Sequence, residues 1–218
     1  MPVTVAYPRP FSFEPASTAL LVIDMQHDFM SPGGWADAMG LDLSLLAPTV
    51  PVIAALLDAF RAAGAPVVFT REGHRPDLSD LPPHKRGRFA PSVGDIGPRG
   101  RYMITGEPCN DIIPELAPRD GELVIDKPGA GSFYATLLDH ILRLRGITHL
   151  VVTGVTTDVC VHTTIREAND RGYQCVLVED ATESYTPEFT QAVIAMMRVG
   201  VPGCSCSSAA LIDAMAKG

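Results

Sequence analysis

The sequence predicts an α/β fold: a doubly wound, mostly parallel six-stranded sheet with helices on both faces. Three observations lead there. Runs such as Leu20-Leu21-Val22-Ile23 are continuously apolar, the pattern of strands buried on both faces. These runs alternate with helical stretches, the order that builds right-handed βαβ units. Glycines stand where helices would stop, at Gly64, Gly146 and Gly172.

The elements follow in order. The first strand, residues 20–23, ends at Asp24. Residues 50–63 read as a helix with Ile53, Leu56, Leu57 and Phe60 on one side, and residues 66–70 as the second strand. Residues 71–120 are rich in Pro, Gly and charge and predict a long loop region, with a short helix near 110–116. Loops of that length in compact domains are functional or cover something. Regularity returns with a strand at 122–126, a helix at 134–145 and a strand at 149–154. A helix at 158–171, a strand at 174–179 and a helix at 187–197 follow, with Pro187 in the last one's first turn. A short strand near 201–206 and a helix at 207–216 finish the chain. Residues 1–218 read as one domain, long enough for a core without disulfides or a structural metal.

Charge narrows the partners. Against 25 acidic residues there are 17 basic ones, a formal charge of −8. That balance disfavours nucleic acid, which needs clustered Lys and Arg. The short basic run Lys85, Arg86, Arg88 reads as a solvated loop. The N-terminus lacks the pattern of a signal peptide. No apolar stretch is read as approaching the ~20 residues of a membrane span. The expected compartment is the cytoplasm. The five cysteines, Cys109, Cys160, Cys175, Cys204 and Cys206, are odd in number and suggest no disulfide framework. Cys204 and Cys206 are expected on opposite sides of their strand, a poor arrangement for a shared zinc.

Three residues carry chemistry. The segment Thr153-Gly154-Val155-Thr156-Thr157-Asp158-Val159-Cys160 runs from a buried strand through a tight turn into a helix, placing Cys160 near the helix start. A helix N-terminus favours a thiolate; the competing reading is a buried structural cysteine. Asp24, at a strand's carboxyl end, is placed to act as a base or simply to cap a turn. Lys127, before Pro128-Gly129, is either a partner for both groups or a surface lysine. Parallel sheets bind ligands beyond the carboxyl ends of their strands. All three residues are expected there, on neighbouring strands, with the logic of an activated thiol.

Leu21-Val22-Ile23-Asp24-Met25-Gln26 with Asp28-Phe29, then Lys127-Pro128-Gly129, then Gly154-Val155-Thr156-Thr157-Asp158-Val159-Cys160-Val161, resemble in order and spacing the isochorismatase-like cysteine hydrolases across nearly the whole chain. The resemblance implies an amidohydrolase with Asp24, Lys127 and Cys160 as its catalytic triad. Cys160 would attack an amide carbonyl, and Asp24 would take the thiol proton and return it to the departing ammonia. Lys127 would hold the ion cluster together. Backbone N–H groups of Thr156 and Cys160 would form the oxyanion hole, beside a cis peptide between Val155 and Thr156. Water would then cleave the thioester.

Within that family the chain looks most like the biuret and triuret hydrolases, on residues 71–78, 131–136 and 160–173. Ureidoacrylate, N-carbamoylsarcosine and maleamate amidohydrolases are the alternative, as is a member that binds without catalysis. Phe29 is a candidate aromatic wall against a planar urea, with Glu72, His74 and Tyr185 as polar contacts. Glu72, His74 and His84 are also where related nicotinamidases carry a metal, but the motif is incomplete, and no metal or other cofactor is expected. His162 reads as structural. The expected partner is a small ureido or amide molecule, with neither nucleic acid nor membrane, and the expected assembly is a homodimer or homotetramer.

Overall fold

The computed structural model describes the backbone of residues 3–6 and all of residues 10–200 and 202–217. An antiparallel hairpin of β1 (Val3–Ala6) and β2 (Pro10–Phe13) precedes the main sheet. The chain continues through β3 (Thr18–Ile23), short helices α1 (His27–Met30) and α2 (Trp35–Ala38), α3 (Thr49–Ala62) and β4 (Val67–Glu72). A two-stranded ribbon, β5 (Ile96–Gly97) with β6 (Gly100–Arg101), lies in the long connection. Next come β7 (Leu123–Lys127), α4 (Leu138–Leu144), β8 (His149–Val155), α5 (His162–Asp170), β9 (Gln174–Glu183), α6 (Pro187–Arg198), β10 (Cys204–Cys206) and α7 (Ser208–Lys217).

Six strands form one sheet in the order β10-β9-β8-β3-β4-β7, and every pairing is parallel. The chain builds outward from β3 through β4 to β7, then returns to the other side of β3 for β8. The switch point therefore lies between β3 and β8, where open sheets of this kind bind ligands.

Strand β3 shows why the sheet is buried on both faces. Leu20 and Val22 enter one apolar cluster, with Ile53, Leu56, Leu57 and Phe60 of α3 and Leu211 of α7. Ala19, Leu21 and Ile23 enter the other, with Leu138 and Leu142 of α4, Ile165 and Ala168 of α5, and Val193 and Met197 of α6. The alternation is the period-2 geometry of a strand. Both layers are apolar, so the sequence shows a continuous run.

Several expectations need correcting. The helix expected at 134–145 is confined to Leu138–Leu144. The preceding turn places Ala135 at φ 54°, which a helix cannot hold. The helix expected near 110–116 is two 3₁₀ turns, Pro108–Asn110 and Pro114–Leu116, each opened by a proline. Strand β9 runs on to Glu183 past the break expected at 179. Residue 201 of the expected last strand lies outside the described residues, and the strand observed is Cys204–Cys206. Cys204 and Cys206 share one cluster, as residues two apart in a strand must. The stretch Leu43–Ala62 does reach membrane-span length and apolarity by composition, with a mean hydropathy of 1.9. Its α-helix is only the 14 residues of α3, whose large apolar side chains lie in the core.

At Gly154, β8 runs too close to β3 to leave room for a side chain. The Gly154 φ is +106°, and a Cβ there would meet the backbone N, C and O of Ile23. Gly172 also has positive φ, at +89°, but a Cβ there meets nothing within 4 Å. Gly154→Ala is expected to cost more than about 3 kcal/mol or to prevent folding, and Gly172→Ala only about 1–2 kcal/mol. Urea unfolding of both variants checks the contrast; equal losses would contradict it.

Candidate active site

The strand ends assemble a compact charged cluster. Asp24 follows β3 directly, with φ 52°, and is fully buried. Lys127 closes β7 and is also fully buried. These two strands are not neighbours: β4 lies between them. Register pairs Ile23 with Thr70 and Glu72 with Lys127. The lysine stem therefore spans the end of β4 to reach Asp24, and β4 supplies two further members, Thr70 and Glu72.

Lys127 Nζ lies 2.7 Å from Asp24 Oδ2 and 3.1 Å from Glu72 Oε2. It also donates to the carbonyls of Gly129 (2.9 Å) and Ala130 (3.0 Å). Thr70 Oγ1 donates to Asp24 Oδ1 at 2.7 Å. The Cys160 thiol donates to Glu72 Oε2 at 3.1 Å. Gln26 fixes β4 from the side, accepting from Glu72 N at 2.7 Å and donating to the carbonyls of Glu72 and Asn110.

Cys160 sits in a widened helical turn. Residues Thr157–Val161 form a π turn, closed by Val161 N donating to Thr156 O at 3.1 Å, that runs into α5. The Val155–Thr156 peptide is cis. A buried network behind the turn holds it in place. Thr157 Oγ1 meets Thr182 Oγ1 at 2.8 Å and Thr190 Oγ1 at 3.2 Å, and Thr190 also bonds Glu183.

The electrostatics divide the carboxylates. Burial pushes Asp24 above the usual range against the pull of Lys127, and the charge of Glu72 adds to the rise. Burial also opposes ionisation of Glu72, but Lys127 and the thiol hydrogen bond outweigh it and hold Glu72 below the usual range. Burial alone would lower Lys127; the charges of Asp24, Cys160 and Glu72 hold it above the ordinary lysine range, so it is an ammonium. Burial raises Cys160 well above an ordinary thiol, with Lys127 opposing. The resting group is thus a thiol and not the thiolate that a helix start alone would favour.

Asp24, Glu72 and Cys160 bring one ligand atom each to within 4.8 Å of one another, a spacing able to hold a metal ion. The Lys127 ammonium already supplies positive charge among them. Among the described residues, Glu72, His74 and His84 form no such group. His84 is exposed on the 3₁₀ turn Pro83–Lys85.

A cavity of about 490 Å³ opens over the cluster. Cys160, Thr156, Glu72, His74, Phe29 and Tyr185 all line it. The Tyr185 hydroxyl donates to Phe29 O at 2.8 Å, so that ring and Phe29 act together as wall. His74 is buried with Nδ1 3.4 Å from Asp80. His162 lies off the cavity lining and accepts from Arg166 Nε at 3.0 Å. Sequence reading missed Thr70, Trp35, Phe89 and Met103. Thr70 was legible as the residue ending an expected strand beside Asp24; the other three come from the long connection and short helices, where no periodicity assigns a direction.

Asp28 fastens that wall. Buried beneath it, Asp28 accepts the Met103 N–H at 2.9 Å. Burial raises its carboxyl to about 6, opposed by the Met103 and Trp35 N–H groups and the Cys109 thiol.

Comparison with known proteins places the chain. Residues 18–208 match the isochorismatase domain model, and the chain belongs to that family. It is 37% identical to the ureidoacrylate amidohydrolase RutB of Pantoea ananatis over 200 residues, covering 87% of this chain and 78% of the relative. A cysteine hydrolase from Pseudomonas syringae pv. phaseolicola superimposes with a TM-score of 0.83 at 26% identity, covering 98% of this chain and 97% of that one. An N-carbamoylsarcosine amidase from Thermoplasma acidophilum gives a TM-score of 0.67 at 28% identity, covering 88% and 96%. The chain is an isochorismatase-family enzyme of the amidohydrolase type.

Two outcomes follow. Lys127→Met leaves buried carboxylates without their cation and is expected to destabilise the fold by about 3–5 kcal/mol. The loss should be larger at pH 8 than at pH 5, where the carboxylates can take up a proton; a small, pH-independent loss in urea titrations would contradict the cluster. For Asp28 the folded state binds the proton more tightly than the unfolded chain. Its stabilising contribution is therefore full below about pH 4 and lost as pH rises through about 6, on the order of 3 kcal/mol in all. Asp28→Asn should flatten the stability profile between pH 4 and 7 relative to wild type; parallel profiles would contradict the assignment.

Proposed function

We propose that the chain hydrolyses the ureido group of a small ureido acid, of the ureidoacrylate type, through a thioester-like intermediate on Cys160. The observation that carries this reading is the contact set at the cavity floor: a thiol on a carboxylate, and that carboxylate on a buried ammonium shared with a second carboxylate.

Cys160 Sγ attacks the ureido carbonyl carbon. Its proton leaves along the existing hydrogen bond to Glu72. Glu72 and Asp24 act as one base arranged around Lys127, with Asp24 the member of higher proton affinity. Assigning the thiol proton to Asp24 alone does not fit this contact, because the carboxylate in hydrogen-bond contact with the thiol is Glu72. The carbonyl oxygen gains negative charge, and N–H groups of Thr156 and Cys160 are the donors proposed to meet it. Collapse breaks the C–N bond to the acid-bearing nitrogen, which takes the proton from the carboxylate pair and leaves as a free amine, so that an S-carbamoyl group stays on Cys160. Water then gives a proton to the same pair and adds to the carbamoyl carbon; the C–S bond breaks, the sulfur takes that proton, and the released carbamate breaks down to ammonia and carbon dioxide. Lys127 keeps its charge throughout and limits how far either carboxylate rises.

Substrate choice rests on the relatives. Ureidoacrylate and N-carbamoylsarcosine each join a ureido group to a carboxylate, whereas biuret and triuret carry no acid. The ureido acids, the alternative on sequence alone, become the preferred class. Asp24, Lys127 and Cys160 are all present, so the non-catalytic alternative has no missing group to rest on.

Ammonia release from ureidoacrylate, N-carbamoyl amino acids, maleamate, nicotinamide, biuret and triuret tests the reading, with wild type beside Cys160→Ser and with or without chelator. Ureido acids should turn over fastest, indifferent to chelator, and Cys160→Ser should lose at least about 1,000-fold. Faster turnover of biuret would overturn the substrate class, and inertness to the whole panel would favour the non-catalytic reading.

A further inference from the structure

We infer that Lys85 and Arg88 form an acid-end subsite, binding the substrate carboxylate while the ureido carbonyl rests at Cys160. This inference deepens the proposed amidohydrolase function and rests on it.

Both side chains line the cavity that Cys160 and Glu72 line. They come from the basic run that reads, in sequence, as a solvated loop. The loop is fastened over the cavity. Leu81 is buried at 3% exposure, and Arg86 Nη2 donates to Leu78 O at 3.0 Å. Lys85 ends a 3₁₀ turn, and Arg88 N donates to Lys85 O at 3.3 Å, which ties the two residues into one bend. An aromatic ladder then joins that bend to the cavity wall. The Arg88 guanidinium lies 5.5 Å from the Phe89 ring centre, Phe89 meets Trp35 edge-on at 5.3 Å, and Trp35 meets Phe29 at 6.3 Å. Trp35 Nε1 donates to Pro91 O at 3.1 Å, closing the loop from its far side.

The charges are unspent. Several arginines pair with acids, as in Arg61–Glu122, Arg71–Asp126 and Arg198–Glu179. Among the described residues, Lys85 and Arg88 make no ion pair with an acidic side chain, although the protein carries a net charge of −8. Neither reaches Glu72 or Asp158, the acidic side chains of the same cavity. The arrangement sets the orientation of a bound ureido acid. Glu72 beside the thiol repels an anionic end and accepts from N–H groups of a neutral one, while Lys85 and Arg88 attract the anion. Phe29, Trp35 and Phe89 line the same cavity and supply its apolar surface. A guanidinium and an ammonium together suit a carboxylate, with the arginine able to engage both oxygens.

Steady-state kinetics on ureidoacrylate and its methyl ester test this, using wild type, Lys85→Ala, Arg88→Ala and the double variant. The double variant should raise KM for the acid by about 10–100-fold, the range for losing hydrogen bonds to a charged group. Its kcat should stay within about threefold, and its kinetics on the neutral ester should be unchanged. Equal losses on acid and ester, or an unchanged KM for the acid, would overturn the subsite. Wild type inert toward both compounds would instead overturn the ureido-acid substrate class. Calorimetric binding of ureidoacrylate to Cys160→Ser, with and without the two alanine changes, still decides the subsite in that case: a matching loss of affinity supports it and equal affinity overturns it.

Discussion

The buried ammonium of Lys127 is the constraint on which the rest of the site depends. Two carboxylates and a thiol could not share a water-poor space without it, because each anion there would strongly penalise the next. With the ammonium 2.7 Å from Asp24 and 3.1 Å from Glu72, one carboxylate stays ionised and the other becomes the stronger base. The thiol donates its hydrogen bond to Glu72, the group that takes its proton in the proposed mechanism. The carbonyls of Gly129 and Ala130 complete the lysine's contacts.

The fold delivers these groups through strand order. Three parallel strands, β3, β4 and β7, end side by side, and β8 ends on the other flank of β3. Asp24, Glu72 and Lys127 come from the first three, while the turn after β8 brings Cys160 to the same end. Close approach of β8 to β3 at Gly154 brings that turn over Asp24. Asp24, Glu72, Lys127 and Cys160 therefore stand at or just beyond strand ends, and the cavity wall stands on short helices and loops, the division expected where a rigid scaffold presents variable segments.

Much of this was legible in the sequence, for physical reasons that also mark where legibility ends. Continuous apolar runs located β3 and β8, since strands covered on both faces leave no alternation to misread. Asp24, Lys127 and Cys160 could be placed because each follows or ends such a run. Glu72 was read as a substrate contact or the remnant of a metal site and not as a partner of the thiol and Lys127, since β4 extends two residues past its apolar stretch into polar Arg71 and Glu72. The adjacency assumed for the strands bearing Asp24 and Lys127 also hid the position of β4 between them. The π turn around Cys160 and the shortened α4 depend on backbone contacts that no periodicity reports. The place of Lys85 and Arg88 on the cavity lining was not legible, because the Arg88–Phe89–Trp35 contacts there join residues far apart in sequence.

Cys160 rests as a protonated thiol, held by a carboxylate cluster around Lys127. The most direct test is the alkylation rate of Cys160 by iodoacetamide as a function of pH, followed by mass spectrometry of the peptide carrying it. Labelling should be slow at neutral pH, with a midpoint above that of a free cysteine at about 8.5. Rapid labelling with a midpoint well below that value would show a resting thiolate and contradict the account.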